Sequence, residues 1–536
     1  MKETSFKTIF IILILIIILD VIYTRITKKE DIQEVSKFET TANKETITSN
    51  NLRIGIIEFD NINPILSNNK NVQDISRLIF EPLFTLTQDY KIEGKLAKEI
   101  SKIDDVTYVI KLNEGIKWHD GNKFDVSDVI FTIDMLKNQE NASIYSSNVK
   151  DILELEIIDE YTLKIIVNQK IPYFEYNLIF PIMSSKHFTE ENFTSESKNI
   201  KIPGTGMFYI SDLNSNSILL KKSTNSLENK NIKLDTINLN LYESLASTIN
   251  AFKSGDIDTF TTANKNIDEY LKNISYNKKE YINRKYDYII LNCENKVLAN
   301  KEIRQAINSA INKDIILKEV YNEKYRKSNF PLDFGSFAYD INNSTIAYDE
   351  NVAKGLLIDN GWKYSSNKWR KTVNYRYLSI ELDLLVNKQN SDLVKVAKKI
   401  KEQLEVVGIK IKLKEVKYNE FNKYLANGNY DLVLVSNNYG YSPSLNKYFG
   451  VENLANYQNE EIINIISDID NISDENELKQ KYTRITEIYN DEVPYISLYY
   501  DINNFIYSQH LKGTISPNSY NLFYELETWY REYKKQ

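Results

Sequence analysis

From about residue 285 the chain alternates short apolar runs of strand-like rhythm with longer helical ones, and few architectures accommodate that pattern. Residues 286–292 read as a strand, 301–321 as one long helix, 379–386 as a strand, and 391–407 as a helix that Gly408 ends. Residues 409–416 and 432–435 then read as strands, 478–490 as a helix, and 493–500 as an extended return segment. A sheet flanked by helices meets these requirements. The earlier half adds strands at 52–57, 107–112 and 162–167, helical spacing over 72–84, and a helix over 126–137 with Asp125 as its N-cap. No repeat of 20 to 50 residues is visible, which argues against a solenoid. At 536 residues the chain exceeds what one hydrophobic core usually supports, so at least two lobes are expected.

The N terminus obeys a different rule. Lys2 and Lys7 precede an unbroken apolar run from Ile9 to Leu19 that continues past Asp20 through Val21, Ile22 and Tyr23. This is a signal peptide or a short anchor. Residues 8–24 make about 25 Å of helix, the lower limit for a bilayer core of about 30 Å. No small residues stand at A-x-A spacing after the run, so an uncleaved transmembrane anchor fits better. Arg25, Lys28 and Lys29 balance Lys2 and Lys7, and charge alone leaves orientation open. Residues 30–51 are polar and lack an apolar period, as a flexible stalk would. Cys293 is the only cysteine, which excludes an intrachain disulfide, a C-x-x-C motif and a lipid-modified cysteine after the apolar run.

The chemistry available is limited. A net charge of −7 with no dense basic block speaks against nucleic acid as a partner. There is no G-x-S-x-G elbow, Walker A loop or Asp-x-Asp-x-Asp-Gly calcium loop. His119, His187 and His510 are the only histidines, so a transition-metal site is poorly supplied and no cofactor is expected. His119-Asp120 pairs an imidazole with a carboxylate, but neighbours in a turn do not face each other as a dyad. Trp118-His119-Asp120-Gly121 therefore reads as a structural turn, with Gly121 suited to positive φ. No enzymatic activity is expected.

Several segments in chain order resemble one known family. They are Ile79-Phe80-Glu81-Pro82-Leu83, Leu96-Ala97, the stretch Tyr108-Val109-Ile110-Lys111-Leu112-Asn113-Glu114-Gly115 continuing to Trp118-His119-Asp120-Gly121, and Asp128-Val129-Ile130-Phe131. Gly204-Thr205-Gly206, Phe252-Lys253-Ser254-Gly255-Asp256 and Ile303-Arg304-Gln305-Ala306 follow. Together these resemble the family 5 extracellular solute-binding proteins, the oligopeptide and dipeptide receptors of ABC importers. The resemblance implies an α/β, two-lobed, periplasmic-binding-protein-like fold with a two-segment hinge and an inserted subdomain, preceded here by an N-terminal transmembrane helix. The implied divisions are 1–29 anchor, 30–51 stalk, 52–285 first lobe with an inserted subdomain near 86–189, 286–494 second lobe, and 495–536 a return to the first lobe.

The same resemblance supplies site expectations. Tyr145, Tyr288, Tyr418, Tyr499 and Tyr500 stand where such proteins line their cleft, although 38 tyrosines would also arise from AT-biased composition. Asn437, Asn438, Tyr439, Gly440 and Tyr441 lie in the stretch where peptide-binding members commonly carry an Asp for the ligand's α-ammonium. Gly440 takes that Asp's place, and Leu434 the place of an Arg that some members use for the ligand carboxylate. Either another acid serves, with Glu81 the first candidate, or the ligand has no free amine there. The implied function is capture of a small solute, an oligopeptide or peptide-like molecule, by a monomer held to the membrane by its N-terminal helix outside the cytoplasm. The solute would pass to an ABC permease with its ATPase subunits. A tethered sensory receptor and a binder of a non-peptide solute are the alternatives.

Overall fold

A computed structural model describes residues 46–57, 61–188, 193, 201–226, 231–339 and 347–534. The expected N-terminal helix and most of the expected stalk lie outside the described residues. Thr46–Ser49, within the stretch expected to be stalk, is a strand of alternating Thr, Ile, Thr and Ser. No helix among the described residues is long and apolar enough to cross a membrane. One compact unit comprises Asn50–Arg531; the other includes Thr46–Ser49 and the residues from Glu532. The functional geometry lies in the first.

Its elements, in chain order, are β1 (Asn51–Ile57), α1 (Lys70–Ile79), α2 (Val126–Lys137), β2 (Phe208–Leu213), β3 (Ser217–Lys222), β4 (Thr236–Tyr242), β5 (Thr259–Thr262), β6 (Tyr276–Leu291), α3 (Lys301–Ser309) and α4 (Lys313–Tyr321). Then come β7 (Glu381–Asn387), α5 (Ser391–Val406), β8 (Lys410–Val416), β9 (Leu432–Asn438), α6 (Glu475–Glu492) and β10 (Tyr495–Ser508). The ten strands form one mixed sheet in the order β8-β7-β9-β6-β10-β5-β1-β4-β3-β2, and Tyr325–Lys327 adds a short partner to β10. A separate antiparallel sheet places Ala97–Lys102, Thr107–Leu112, Thr162–Val167 and Ile152–Asp159 side by side.

The local chemistry explains the boundaries. Asp125 caps α2 and Asp128 returns the bond to the Asp125 backbone, a reciprocal capping box. The helix expected over 301–321 is two, because the Asn312 side chain accepts from Ile315 N and starts α4 afresh. The helix expected over 72–84 stops at Ile79; Phe80 is extended, and Glu81 precedes Pro82, where α geometry is disfavoured. Gly408, at φ +85°, ends α5 as anticipated.

The buried apolar residues fall into three clusters, the smallest around Ile249, Phe252, Ile257 and Phe260. The larger core gathers Leu52, Ile75, Leu78, Phe80, Trp118, Ile133 and Leu239 among others, and extends to Tyr448, Tyr482 and Ile485. The second packs α3 and α5 against β7 and β9 through Ile303, Ile307, Val396, Ile400, Leu384 and Leu434. β6 and β10 run through the sheet from one half to the other. Tyr286–Leu291 of β6 pairs with β9, while the far end of β10 pairs with β5. The β6 to β10 ladder shifts register between Ile282 and Tyr286 and again between Asp287 and Tyr288. Arg284 inside the first shift has φ +77°, an uncommon backbone state for a residue bearing a Cβ.

Leu434 has no exposed surface and belongs to the second core. Leu434→Ala should therefore lower unfolding free energy by about 2–5 kcal/mol in urea titration, the range for emptying a packed leucine site. A loss below about 1 kcal/mol would contradict this packing.

Candidate functional site

α1 is amphipathic in a way that serves two environments. Val72, Ile75, Leu78 and Ile79 are buried in the larger core, and Asn69 caps the helix by accepting from Asn71 N. Lys70, Gln73, Asp74 and Arg77, at helical spacing, share a face that lines a cavity of about 540 Å³. That volume falls in the range of roughly 300–1,000 Å³ typical of small-molecule sites.

The sequence motifs meet at the end of this helix. Gly206 N donates to Ile79 O (2.9 Å), His119 N to Gly204 O (2.8 Å), and Gly204 N to His119 Nδ1 (3.0 Å). His119 Nε2 then donates to Gly206 O (2.9 Å). Both ring nitrogens are engaged with backbone, which assigns the neutral tautomer protonated at Nε2 and leaves His119 a structural clamp. A Cβ on Gly204 would lie 1.8 Å from Ile79 O, so only glycine permits this approach. Gly121 has φ +90°, as a turn glycine should. Trp118 Nε1 donates to Asp128 Oδ2 (3.0 Å), tying the turn to α2.

The segment Asn438–Ser442 forms a wall opposite α1. On its other side lies an inner cavity of about 230 Å³, lined in part by Tyr90, Arg284, Leu332, Asp333 and Lys447. Arg284 enters it from the distorted position in β6. Its guanidinium pairs with Asp333 (2.9 Å), donates to Gly440 O, and lies 4.4 Å from the Tyr441 ring centre, 5.2 Å from Tyr90 and 5.4 Å from Tyr439. A carboxylate, a carbonyl and three aromatic faces thus compensate a buried cation. Asp333 is occupied at both oxygens, since Oδ1 accepts from Gly335 N (2.9 Å).

In the outer cavity Lys70 pairs with Asp74. Burial raises the Asp74 carboxyl above its usual range, against the opposing pull of the Lys70 ammonium. Arg77 lies 3.6 Å from the Tyr520 ring centre. The Tyr145 hydroxyl donates to Gln73 Oε1, and the Tyr441 hydroxyl to Ser519 O (2.8 Å), fixing two phenol walls.

Of the residues singled out in the sequence, Tyr145, Asn438, Tyr439, Gly440 and Tyr441 line the outer cavity, and the last four also line the inner one. The others lie behind or away from these walls. Asn437 Nδ2 donates to the Tyr288 hydroxyl (3.2 Å), and Tyr288, Tyr499 and Tyr500 are fully or almost fully buried in the β6 and β10 region. Tyr499 donates to Lys313 O (2.7 Å) and Tyr500 to Phe330 O (2.9 Å). Glu81 is buried and pairs with Lys95 (3.3 Å), and Tyr418 is 55% exposed at the start of Tyr418–Ala426. The sequence reading missed Arg77, Asp74, Tyr520, Arg284 and Asp333. One signal for the first two was available: three charges at helical spacing on the face opposite Val72, Ile75 and Ile79.

Residues 91–457 match the bacterial extracellular solute-binding proteins, family 5 Middle. The oligopeptide-binding protein AppA of Bacillus subtilis is 22% identical over 491 residues, which is 87% of this chain and 89% of that protein. The dipeptide-binding protein of Escherichia coli is 23% identical over 410 residues, 70% of this chain and 73% of its own. The unliganded open form of the periplasmic murein tripeptide binding protein MppA shares the fold at a TM-score of 0.76 and 17% identity, covering 91% of this chain and 99% of that one.

Burial pushes the His119 imidazole below its ordinary value. Its stabilising contribution is therefore complete above about pH 6.5 and falls as pH drops, when the unfolded chain takes up a proton that the folded state resists. Between about pH 7.5 and 5 the wild type should lose melting temperature more steeply than His119→Gln. Parallel slopes would refute the assignment.

Proposed function

We propose, from the premise that this chain belongs to family 5 of the bacterial extracellular solute-binding proteins, that it captures a peptide or peptide-like solute in the cavity between α1 and Asn438–Ser442 and delivers it to an ABC permease. The observation that carries this reading is the cavity itself. It is about 540 Å³ in volume and is walled by phenol rings and side-chain amides, which suit a ligand of variable side chains and constant backbone. The curated relatives named above, described as oligopeptide- and dipeptide-binding, support the choice of solute class.

β6 and β10 are the strands about which the lobes would close, with limits near 52–285 and 286–494 and a return from about 495. Closure needs ligand contacts stronger in the closed than in the open state, and side chains on both walls of the cavity can provide them. The chain acts as a binder and not as an enzyme, as a monomer outside the cytoplasm, and the apolar run from Ile9 to Leu19 holds it to the membrane. Protease added to intact cells should then release the large domain; full protection would overturn that placement.

Solute binding to the native state alone stabilises it by about 2.7 kcal/mol at a hundredfold excess over Kd. A peptide panel should therefore contain members that raise the melting temperature, and deleting the gene should reduce uptake of those members. A changed cellular response with undiminished uptake would favour a sensory role instead.

A further inference from the structure

The charges lining the two cavities are not balanced. Both acids are already committed: Asp74 to Lys70, and Asp333 to Arg284 and the Gly335 amide. Two cations remain. Among the described residues, neither Arg77 nor Lys447 has an ion-pair partner within 4.0 Å; Arg77 lies over the face of Tyr520, and Asp74 acts on it only at longer range. The Arg77 guanidinium is planar and presents its donors as a fork matched to a carboxylate.

The wall of the inner cavity has the chemistry of a cation site, three phenol faces with a carboxylate and a carbonyl, and the Arg284 guanidinium already engages all five groups. A second ammonium brought to the Asn438–Ser442 wall would meet that guanidinium with no free carboxylate to compensate it. Burying an unpaired charge beside a like one is strongly unfavourable. A carboxylate brought to α1 would meet the opposite situation.

We propose that the outer cavity selects solutes bearing a carboxylate, held by the Arg77 guanidinium against the Tyr520 ring, and that Arg284, as a tethered cation, excludes solutes presenting a free amine to the Asn438–Ser442 wall. This rests on the peptide-like reading of the cavity and narrows it to acidic or amine-blocked members of that class. Asn148, Asn177 and Asn438 line the same cavity and are suited to the amide groups of such a solute.

The test uses the full chain and two matched random tripeptide libraries. One is N-acetylated with a free C-terminal carboxylate; the other has a free amine and a C-terminal amide. Retained peptides are read by mass spectrometry after equilibrium dialysis. The first library should be retained at least tenfold better than the second. Arg77→Gln should weaken binding of its retained members at least tenfold, and Arg77→Lys less so. Circular dichroism checks that the variants are folded. Equal or better retention of the amine library overturns the inference and leaves the solute-binding reading standing. Retention of neither library overturns the peptide-like reading on which it rests.

Discussion

The backbone ladder between β6 and β10 is the interaction on which the rest of this molecule hangs. It joins the two halves of the sheet, and each core lies on strands that this ladder holds in register. A continuous ladder would make the junction a stiff ribbon. The double register shift and the positive φ at Arg284 interrupt it in the middle. Such a backbone state costs of order 1–3 kcal/mol and persists only where its surroundings over-determine it. The surroundings are plain: Asp333, the Gly440 carbonyl and three phenol rings all hold the Arg284 side chain.

Much of the fold could be read in the sequence because its signals are local. The strands at 107–112 and 162–167 and the helix at 126–137 carry their period and caps within a dozen residues, and the structure places them at those positions. The break at Asn312 was equally local but was hidden by an apolar period that runs through both helices. The shared motifs were legible as a resemblance but not as an arrangement. Ile79, His119 and Gly204 meet only in three dimensions, and nothing within each segment announces that they form one clamp.

The site was harder to read for the same reason. Tyr145 and Asn438–Tyr441 were reachable through resemblance to relatives, whereas Arg284 and Asp333 meet from a distorted strand and a distant loop. The tyrosines behind the wall show the opposite error. Tyr288, Tyr499 and Tyr500 have the chemistry of a ligand surface, yet their hydroxyls are spent on Asn437, Lys313 O and Phe330 O. An amphipathic side chain at a cleft-forming position can face the core as readily as the cleft, and a sequence does not say which.

The Tyr286 ring joins the Asn438–Ser442 wall to the β6–β10 ladder. Tyr439 stacks on Tyr286 at 4.8 Å between ring centres, Tyr286 stacks on Tyr288 at 4.8 Å, and Tyr500 lies 5.6 Å from Tyr286. Close phenols in a fixed skew arrangement form a chiral chromophore. The molecule thus carries its own optical gauge: displacement of the wall alters how these transitions couple, and near-ultraviolet circular dichroism registers it without a label.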